Sequence, residues 1–578
     1  MRRPLWWILA IVGALACGRF GAAPASPPPV TPPRIADSLD LIVAATTDVH
    51  GWLRGWDYFR NAADTARGLS RIATIVDSLR AANPDRVVLV DAGDDLQGTP
   101  ITGAALRDST LPNPVIAAMN AAKYDAAVIG NHEFNYGLSY LNSAIAQARF
   151  PFIASNVFLP NGSHAYTPWV MITRSGVRLA VVGATTPGSM IWDRDKLQGR
   201  VDVRDIVPNV RAAVADARAK GADVVIVVLH SGLDEPSSYD TVATGLPSEN
   251  VSARVAREVA GIDVVVFGHT HKELADTIIG GVLLTQPRNW AGSLSIARLR
   301  VARQGSAWRI LHKVARVVTA RGGGRREQAD VLQATAEAHA RTLQYVTSPI
   351  GTTSTAWRAD SARVRDTPII DFVLEVERRV AGTDLASTAA FNLNAAFGPG
   401  AITMADMAEL YPYDNNVLRA VKISGKQLRD YLEFSARYFR GVGHPDSLIN
   451  SAVPGFNFDI VQGVDYTIDI SKPVGSRITR LSTLGANRRP VADADSFTMA
   501  LNDYRQVGGG GYAMLRGARV VYDQQQVIRQ LLVDEVRRRS ALRSEDYFQP
   551  NWRIEPDSIA DAVYRSMRRL PFDRPRAP

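Results

Sequence analysis

The chain has 578 residues, 46% hydrophobic and 21% charged, with a formal net charge of +9 from 66 basic and 57 acidic residues. That length calls for two or more domains, and that composition excludes disorder of the whole chain. No compact run of Lys and Arg is present, so a nucleic-acid polymer is not an expected partner, and a single cysteine, Cys17, excludes an intramolecular disulfide.

Arg2 and Arg3 precede an apolar run over 5–16 that is too short to span a membrane. A basic start, a short apolar stretch and the small residues Ala14 and Ala16 read as a signal peptide over 1–16. An exported protein of the bacterial periplasm or cell envelope follows. Cys17 stands next, where it resembles the lipidated cysteine of a bacterial lipoprotein; membrane attachment through Cys17 and plain cleavage after Ala16 both stay open. Residues 17–36, rich in Pro, Ala and Ser, read as an extended tether.

From 37 to 321 short β-branched apolar runs alternate with longer segments. The runs are 41–45, 86–90, 126–129, 179–182, 224–229, 264–267 and 282–284, and 70–79 and 207–220 have helical character. The alternation predicts an α/β layered domain, and runs apolar throughout predict strands buried on both faces. Gly322, Gly323 and Gly324 break the pattern, and 322–346 reads as a linker helix. A second mixed α/β domain is expected over 347–555, with four glycines at 508–511 in a sharply bent loop. Residues 556–578, rich in Arg and Pro, read as an irregular basic tail.

The chemistry sits at the ends of the runs. Asp48 and His50 follow the first, Asp91, Asp94 and Asp95 the second, and Asn131, His132 and Glu133 the third. His230 follows 224–229, and His269 and His271 follow 264–267. Ligand sites in open α/β sheets lie beyond the carboxyl ends of strands, so these motifs converge on one edge. Carboxylate, imidazole and amide oxygen suit borderline divalent metals such as zinc, manganese, cobalt or iron. Two such ions about 3.5–4 Å apart can hold the attacking and departing oxygens of a phosphoryl displacement. A carboxylate between them offsets their repulsion, and Asp94 is the natural bridge. One histidine at a strand end is more often structural than a ligand. Here five of nine histidines fall in the motifs, while His164, His312, His339 and His444 lie outside them.

The five blocks resemble the calcineurin-like metallophosphoesterases. The resemblance implies an N-terminal four-layer αββα sandwich with two divalent metal ions. It implies Asp48, His50, Asp94 and His271 on one metal, and Asp94, Asn131, His230 and His269 on the other. His132 would stabilise charge on the phosphate or protonate the leaving oxygen, with Asn135 as its partner and Asp91 and Asp95 behind the ligands. Within the superfamily the chain is similar to secreted 5′-nucleotidases and 2′,3′-cyclic phosphodiesterases, which add a linking helix and a C-terminal mixed α/β nucleotide-binding domain. Asn135, where 5′-nucleotidases usually carry Asp, and the segment Phe456, Asn457, Phe458 and Asp459 with Gly463 and Tyr466 resemble the bifunctional 2′,3′-cyclic-nucleotide 2′-phosphodiesterase/3′-nucleotidases. The same resemblance implies a nucleobase clamp of Tyr413 and Tyr504, lined by Asn392. A glycine-rich segment ending in Arg is absent at that place, which removes an expected phosphate contact.

The expectation is thus an exported, monomeric hydrolase of nucleotide phosphate esters. The alternatives are a 5′-nucleotidase or nucleotide-sugar hydrolase on the same scaffold, and a surface binding protein without catalysis.

Overall fold

A computed structural model describes residues 38–567, apart from 323–325, 445–446 and 486–487. The signal segment 1–16, the tether 17–36 with Cys17, and residues 568–578 lie outside the described residues.

The apolar runs become strands with both faces covered. β1 (Ser38–Thr46), β2 (Val87–Asp91), β3 (Ala126–Val128) and β4 (Phe152–Ile153) run parallel side by side. β5 (Trp169–Arg174), β6 (Val177–Thr185), β7 (Val224–His230), β8 (Val264–Phe267), β9 (Leu274–Ile279) and β10 (Val282–Gln286) form a second sheet in the order β9-β10-β8-β7-β6-β5. β11 (Ser293–Gln304) and β12 (Ala307–Thr319) add an antiparallel pair beside β1, giving a first sheet β12-β11-β1-β2-β3-β4.

Side-chain alternation within each strand sets the layers. Leu41, Val43 and Ala45 of β1 share one core with Ile226 and Val228 of β7, between the sheets. Ile42 and Ala44 instead join the core containing Ile72 and Val76 of helix Leu69–Ala82 and Ile116 and Met119 of helix Pro114–Ala122. On the far side Val225, Val227 and Leu229 pack with Val207, Val210 and Val214 of helix Ile206–Ala219. The layers run helix, sheet, sheet, helix, as the resemblance implies.

The segment expected as a single linker helix is two helices, Ala329–Ala334 and Ala336–Thr347, meeting at Thr335. The Thr335 hydroxyl donates to the Val331 carbonyl at 2.8 Å and accepts from Arg54 at 2.9 Å. A Thr that bonds back four residues competes with a regular helix, and the chain bends there. Val331, Ala338 and Val346 are buried in the first domain's core, so the linker is welded to that domain.

In the second domain β13 (Leu385–Ala389), β14 (Val417–Ser424), β15 (Asp459–Gln462), β16 (Ser496–Asn502) and β17 (Arg519–Val527) form a mixed sheet in the order β15-β13-β16-β14-β17. Helix Pro368–Ala381 packs on it; it starts on proline and stops at Gly382, whose φ of 64° suits glycine. The irregular tail expected from 556 is corrected: Asp557–Met567 is a helix, with Val563 and Met567 buried and Ile559 packed beside them. Those three apolar residues are four apart, a stripe that the surrounding arginines obscure in the sequence. Among the described residues no helix is long and apolar enough to cross a membrane.

Candidate metal centre

The strand ends deliver their motifs to one edge. Asp48 and His50 lie in the turn after β1, Asp94 after β2, and Asn131 and His132 after β3. His230 is the last residue of β7, and His269 and His271 follow β8. The turns are tight and strained. Asp48 (φ 49°), His50 (47°), Asp94 (67°), His269 (76°) and His271 (55°) all adopt the left-handed backbone region. That region is sparsely populated outside glycine and is retained where the surroundings over-determine it, often at functional sites. Gly268 shows how closely the turns approach: a Cβ there would lie 1.8 Å from the Thr47 hydroxyl.

Two donor clusters result. In the first, His50 Nε2 lies 3.1 Å from His271 Nε2, and His271 Nε2 lies 3.5 Å from Asp48 Oδ1. In the second, His230 Nε2 lies 3.0 Å from Asp94 Oδ2, 2.9 Å from Asn131 Oδ1 and 3.2 Å from His269 Nδ1. Asp94 Oδ2 also lies 3.9 Å from His50 Nε2, so one carboxylate oxygen stands between the clusters. All seven residues carried over as ligands are therefore brought together.

The donor set fits divalent cations. His50 Nδ1 donates to the Gln97 carbonyl at 2.9 Å, and His230 Nδ1 to the Ala92 carbonyl at 2.8 Å. Each ring then offers the lone pair of Nε2 to its cluster. His269 donates Nε2–H to Glu249 Oε1 at 2.7 Å and offers Nδ1 instead. His271 Nδ1 lies 3.1 Å from the Asn289 side-chain amide, and with that amide turned so that its oxygen accepts from Nδ1–H the ring likewise offers Nε2. Ring nitrogens about 3 Å apart with lone pairs converging are satisfied by a cation between them. Asp48 Oδ1 is buried with no closer hydrogen-bond partner among the described residues, and it points the same way. Outer partners of this kind fix tautomer and ring orientation at metal sites.

Charge follows the same logic. Burial alone would raise the Asp94 carboxyl, but the facing His230, His132 and His50 rings outweigh it and hold it well below the usual carboxylate range. Burial would lower His230, yet Asp94 and Asp48 push it up to about 10. A proton and a metal ion compete for that ring, so metal uptake releases protons.

Among the described residues Asp91 and Asp95, expected behind the ligands, accept no hydrogen bond from a candidate ligand side chain. Asp91 accepts from the Thr46 hydroxyl at 2.5 Å and the Gly93 amide at 2.6 Å, shaping the turn. Burial beside Asp91 and Glu133 holds the Asp95 carboxyl well above its ordinary range. The orienting residues are others: Glu249 and Asn289, which belong to no motif, and Glu133, whose two oxygens accept four backbone N–H groups. These come from Asp94 (2.8 Å), Gly130 (2.7 Å), Asp95 (2.6 Å) and Leu96 (3.0 Å). Glu133 thereby ties the Asp94 turn to the Asn131 turn.

His132 stands beside the clusters, its Nε2 4.0 Å from Asp94 Oδ2 and its side chain 25% exposed. Its Nδ1 meets Asn135 Oδ1 at 2.6 Å. Trp192 stacks on His269 with ring centroids 5.6 Å apart.

The second domain reaches this edge. Tyr413 and Tyr504 are both half-buried. Tyr413 packs edge-on against Phe391, and its segment is braced by Arg529, which donates to the Tyr411 and Pro412 carbonyls. Burial pushes the Tyr504 phenol up to about 12, and nearby Glu249 and Tyr413 add to the rise. Next to Tyr504, Arg505 forms a buried two-pronged pair with Asp459 at 2.7 and 2.8 Å. That pair explains the Phe456–Asp459 motif as a brace for the Tyr504 turn. Asn392 has its amide engaged with the Glu409 carbonyl and the Asn394 N–H, which anchors its own loop. Asp414 links the domains, accepting from Gln97 Nε2 at 3.2 Å and from the Tyr136 hydroxyl at 3.0 Å.

Comparison with known proteins agrees with this architecture. Residues 41–273 match the calcineurin-like phosphoesterase family and 349–517 the 5′-nucleotidase C-terminal domain. The chain is 30% identical to a 2′,3′-cyclic-nucleotide 2′-phosphodiesterase/3′-nucleotidase of Haemophilus influenzae, over 90% of this chain and 88% of the relative. It is 29% identical to a trifunctional nucleotide phosphoesterase of Bacillus subtilis over 92% of this chain, and spans 40% of that longer protein. Among solved structures, the 5′-nucleotidase precursor of Thermus thermophilus aligns with a TM-score of 0.65 at 20% identity, covering 90% of this chain and all of that one.

Proposed function

Since the chain belongs to the calcineurin-like phosphoesterases that carry a 5′-nucleotidase C-terminal domain, we propose that it hydrolyses 2′,3′-cyclic nucleotides at the 2′ ester and then the resulting 3′-nucleotides. The observation that carries this reading is the placement of Asp94 Oδ2 between two complete donor clusters, with His132 beside them and the second domain tied to the same edge through Asp414. The named relatives supply the choice of ester.

Two divalent cations bound by Asp48, His50, Asp94 and His271, and by Asp94, Asn131, His230 and His269, would polarise a phosphoryl oxygen and supply a water acidic enough to attack at neutral pH. The chain's own residues do the rest. His132, held through Nδ1, presents Nε2 towards the space in front of Asp94, where it can hydrogen-bond a phosphoryl oxygen or give a proton to the departing ester oxygen. Tyr413 and Tyr504 offer flat faces for a nucleobase, which bind any base because every base has a π-face. The diester and monoester steps cleave different oxygens, so the sugar must be repositioned between them.

Phosphate release from 3′-AMP tests the reading. Turnover should vanish with a chelator and return with manganese. His132→Ala should abolish it while leaving metal content unchanged; full turnover by that variant would remove His132 from the chemistry. The basic-apolar start supports export as an unlinked monomer or a lipid-anchored one. Mass analysis of the mature N-terminus and size-exclusion chromatography decide between them.

A further inference from the structure

Behind Asn135 stands a residue that no motif contains. Asn135 Nδ2 donates to Asp193 Oδ2 at 2.9 Å, and the other oxygen of Asp193 accepts from Lys196 Nζ at 2.7 Å. Asp193 is 3% exposed and Asn135 6%. Lys196 lies on the short helix Arg194–Leu197, which the second domain also grips, Arg419 reaching Asp195 at 2.5 Å.

The chemistry of these groups leaves one arrangement. An amide has an accepting end and a donating end, and an ionised carboxylate only accepts. Asp193 therefore requires the NH2 of Asn135 on its side. A flipped amide would set two oxygens against each other in a buried place, where an unmade hydrogen bond is expensive. With NH2 turned to Asp193, the Asn135 oxygen must face His132 Nδ1, and that nitrogen must carry a hydrogen. Nε2 is then the basic nitrogen, the one that takes up the second proton with which His132 hydrogen-bonds the phosphoryl group or protonates the departing oxygen.

We infer that Asp193, braced by Lys196, is a positioning residue: it fixes the amide of Asn135 and through it the tautomer and orientation of His132. The inference rests on the reading of His132 as the group that acts on phosphate. It also accounts for an amide rather than a carboxylate at Nδ1 of this histidine: the carboxylate stands one residue further out, and the amide passes on its preference without its charge.

The test is an exchange of the two side chains in the full, zinc-loaded protein. Asp193→Asn is close to isosteric and lets the Asn135 amide adopt either orientation. It should lower kcat about tenfold, the equivalent of one hydrogen bond, with KM within about twofold. The double variant Asn135→Asp with Asp193→Asn restores an acceptor facing His132 and a donor behind it, and should recover most of the lost kcat. Spectra of 15N-histidine-labelled protein, with His132 assigned by difference against His132→Ala, read the ring proton directly. For the neutral ring they should show it on Nδ1 in the parent and the exchanged pair, and distributed over both nitrogens in Asp193→Asn. An unchanged ring signal in Asp193→Asn overturns the inference whatever kcat does, and so does loss of kcat that the exchange fails to rescue. Full activity of His132→Ala would defeat the underlying reading instead, while leaving Asp193's hold on the ring tautomer intact.

Discussion

Glu133 offers the sharpest structural prediction. It is fully buried, and each of its oxygens accepts two backbone N–H groups, from both sides of the turns that carry Asp94 and Asn131. All four neighbours are donors, so the site demands an acceptor at both oxygens. Burial pushes the Glu133 carboxyl up from its ordinary value, as does the nearby Asp94 charge, and the N–H groups pull against them. Glu133→Gln keeps the shape and exchanges one oxygen for an NH2 that points at two N–H groups. Two charge-assisted hydrogen bonds at about 1.5–3 kcal/mol each are lost, a cost of about 3–6 kcal/mol, reduced by no longer burying a charge. The loss falls on the turn holding Asp94, so metal affinity should fall with stability. Urea unfolding of metal-free protein measures the first and calorimetric metal titration the second. A variant within about 0.5 kcal/mol of the parent, with the same metal affinity, would refute the claim that Glu133 sets the geometry of the centre.

Further predictions concern the second domain. Asp459→Ala leaves the buried Arg505 guanidinium without its partner and should cost about 3–5 kcal/mol in chemical unfolding, with KM rising as the Tyr504 turn loosens. Tyr413→Ala and Tyr504→Ala should each weaken substrate binding by about 1–3 kcal/mol, to a similar extent for adenine and uracil nucleotides, read as KM in parallel assays. Asp371 is buried beside Asp366, and burial first and that neighbour second push it up to about 9. The folded state thus binds a proton more tightly than the unfolded state, so this group's contribution to stability falls as pH rises from about 4 to 9, by at most about 1.4 kcal/mol per pH unit. Asp371→Asn, which can still accept from the Gln549 N–H, should flatten that slope in melting curves from pH 5 to 9.

The candidate metal ligands are legible in the sequence because histidine is scarce and each motif follows an apolar strand. The four layers are legible because those strands are apolar on both faces. What stays hidden has a physical reason in each case. Glu249 and Asn289 orient ligand rings from loops, with no fixed spacing to the motifs they serve. Asp193 lies 58 residues from Asn135, and only the fold brings them together. Glu133 stands inside a recognisable motif, but its four backbone partners come from a different turn as well as its own. Asp91 and Asp95 look like orienting groups by adjacency, yet the strand end points them into the turn and the interior. The helix Asp557–Met567 escapes notice because arginines mask an apolar stripe of period four. Tyr504 is readable from its motif, but the Arg505–Asp459 pair that braces it joins segments 46 residues apart.

A substrate comparison tests the proposed activity without intermediaries. Purified protein lacking residues 1–33, with manganese added, would be offered 2′,3′-cyclic AMP (with an added monoesterase to reveal the ring-opened product), 3′-AMP and 5′-AMP at equal concentration. Strong phosphate release from the first two and weak release from the third are expected. Preference for 5′-AMP would overturn the choice of ester, keeping the metal centre and moving the chain to the 5′-nucleotidases.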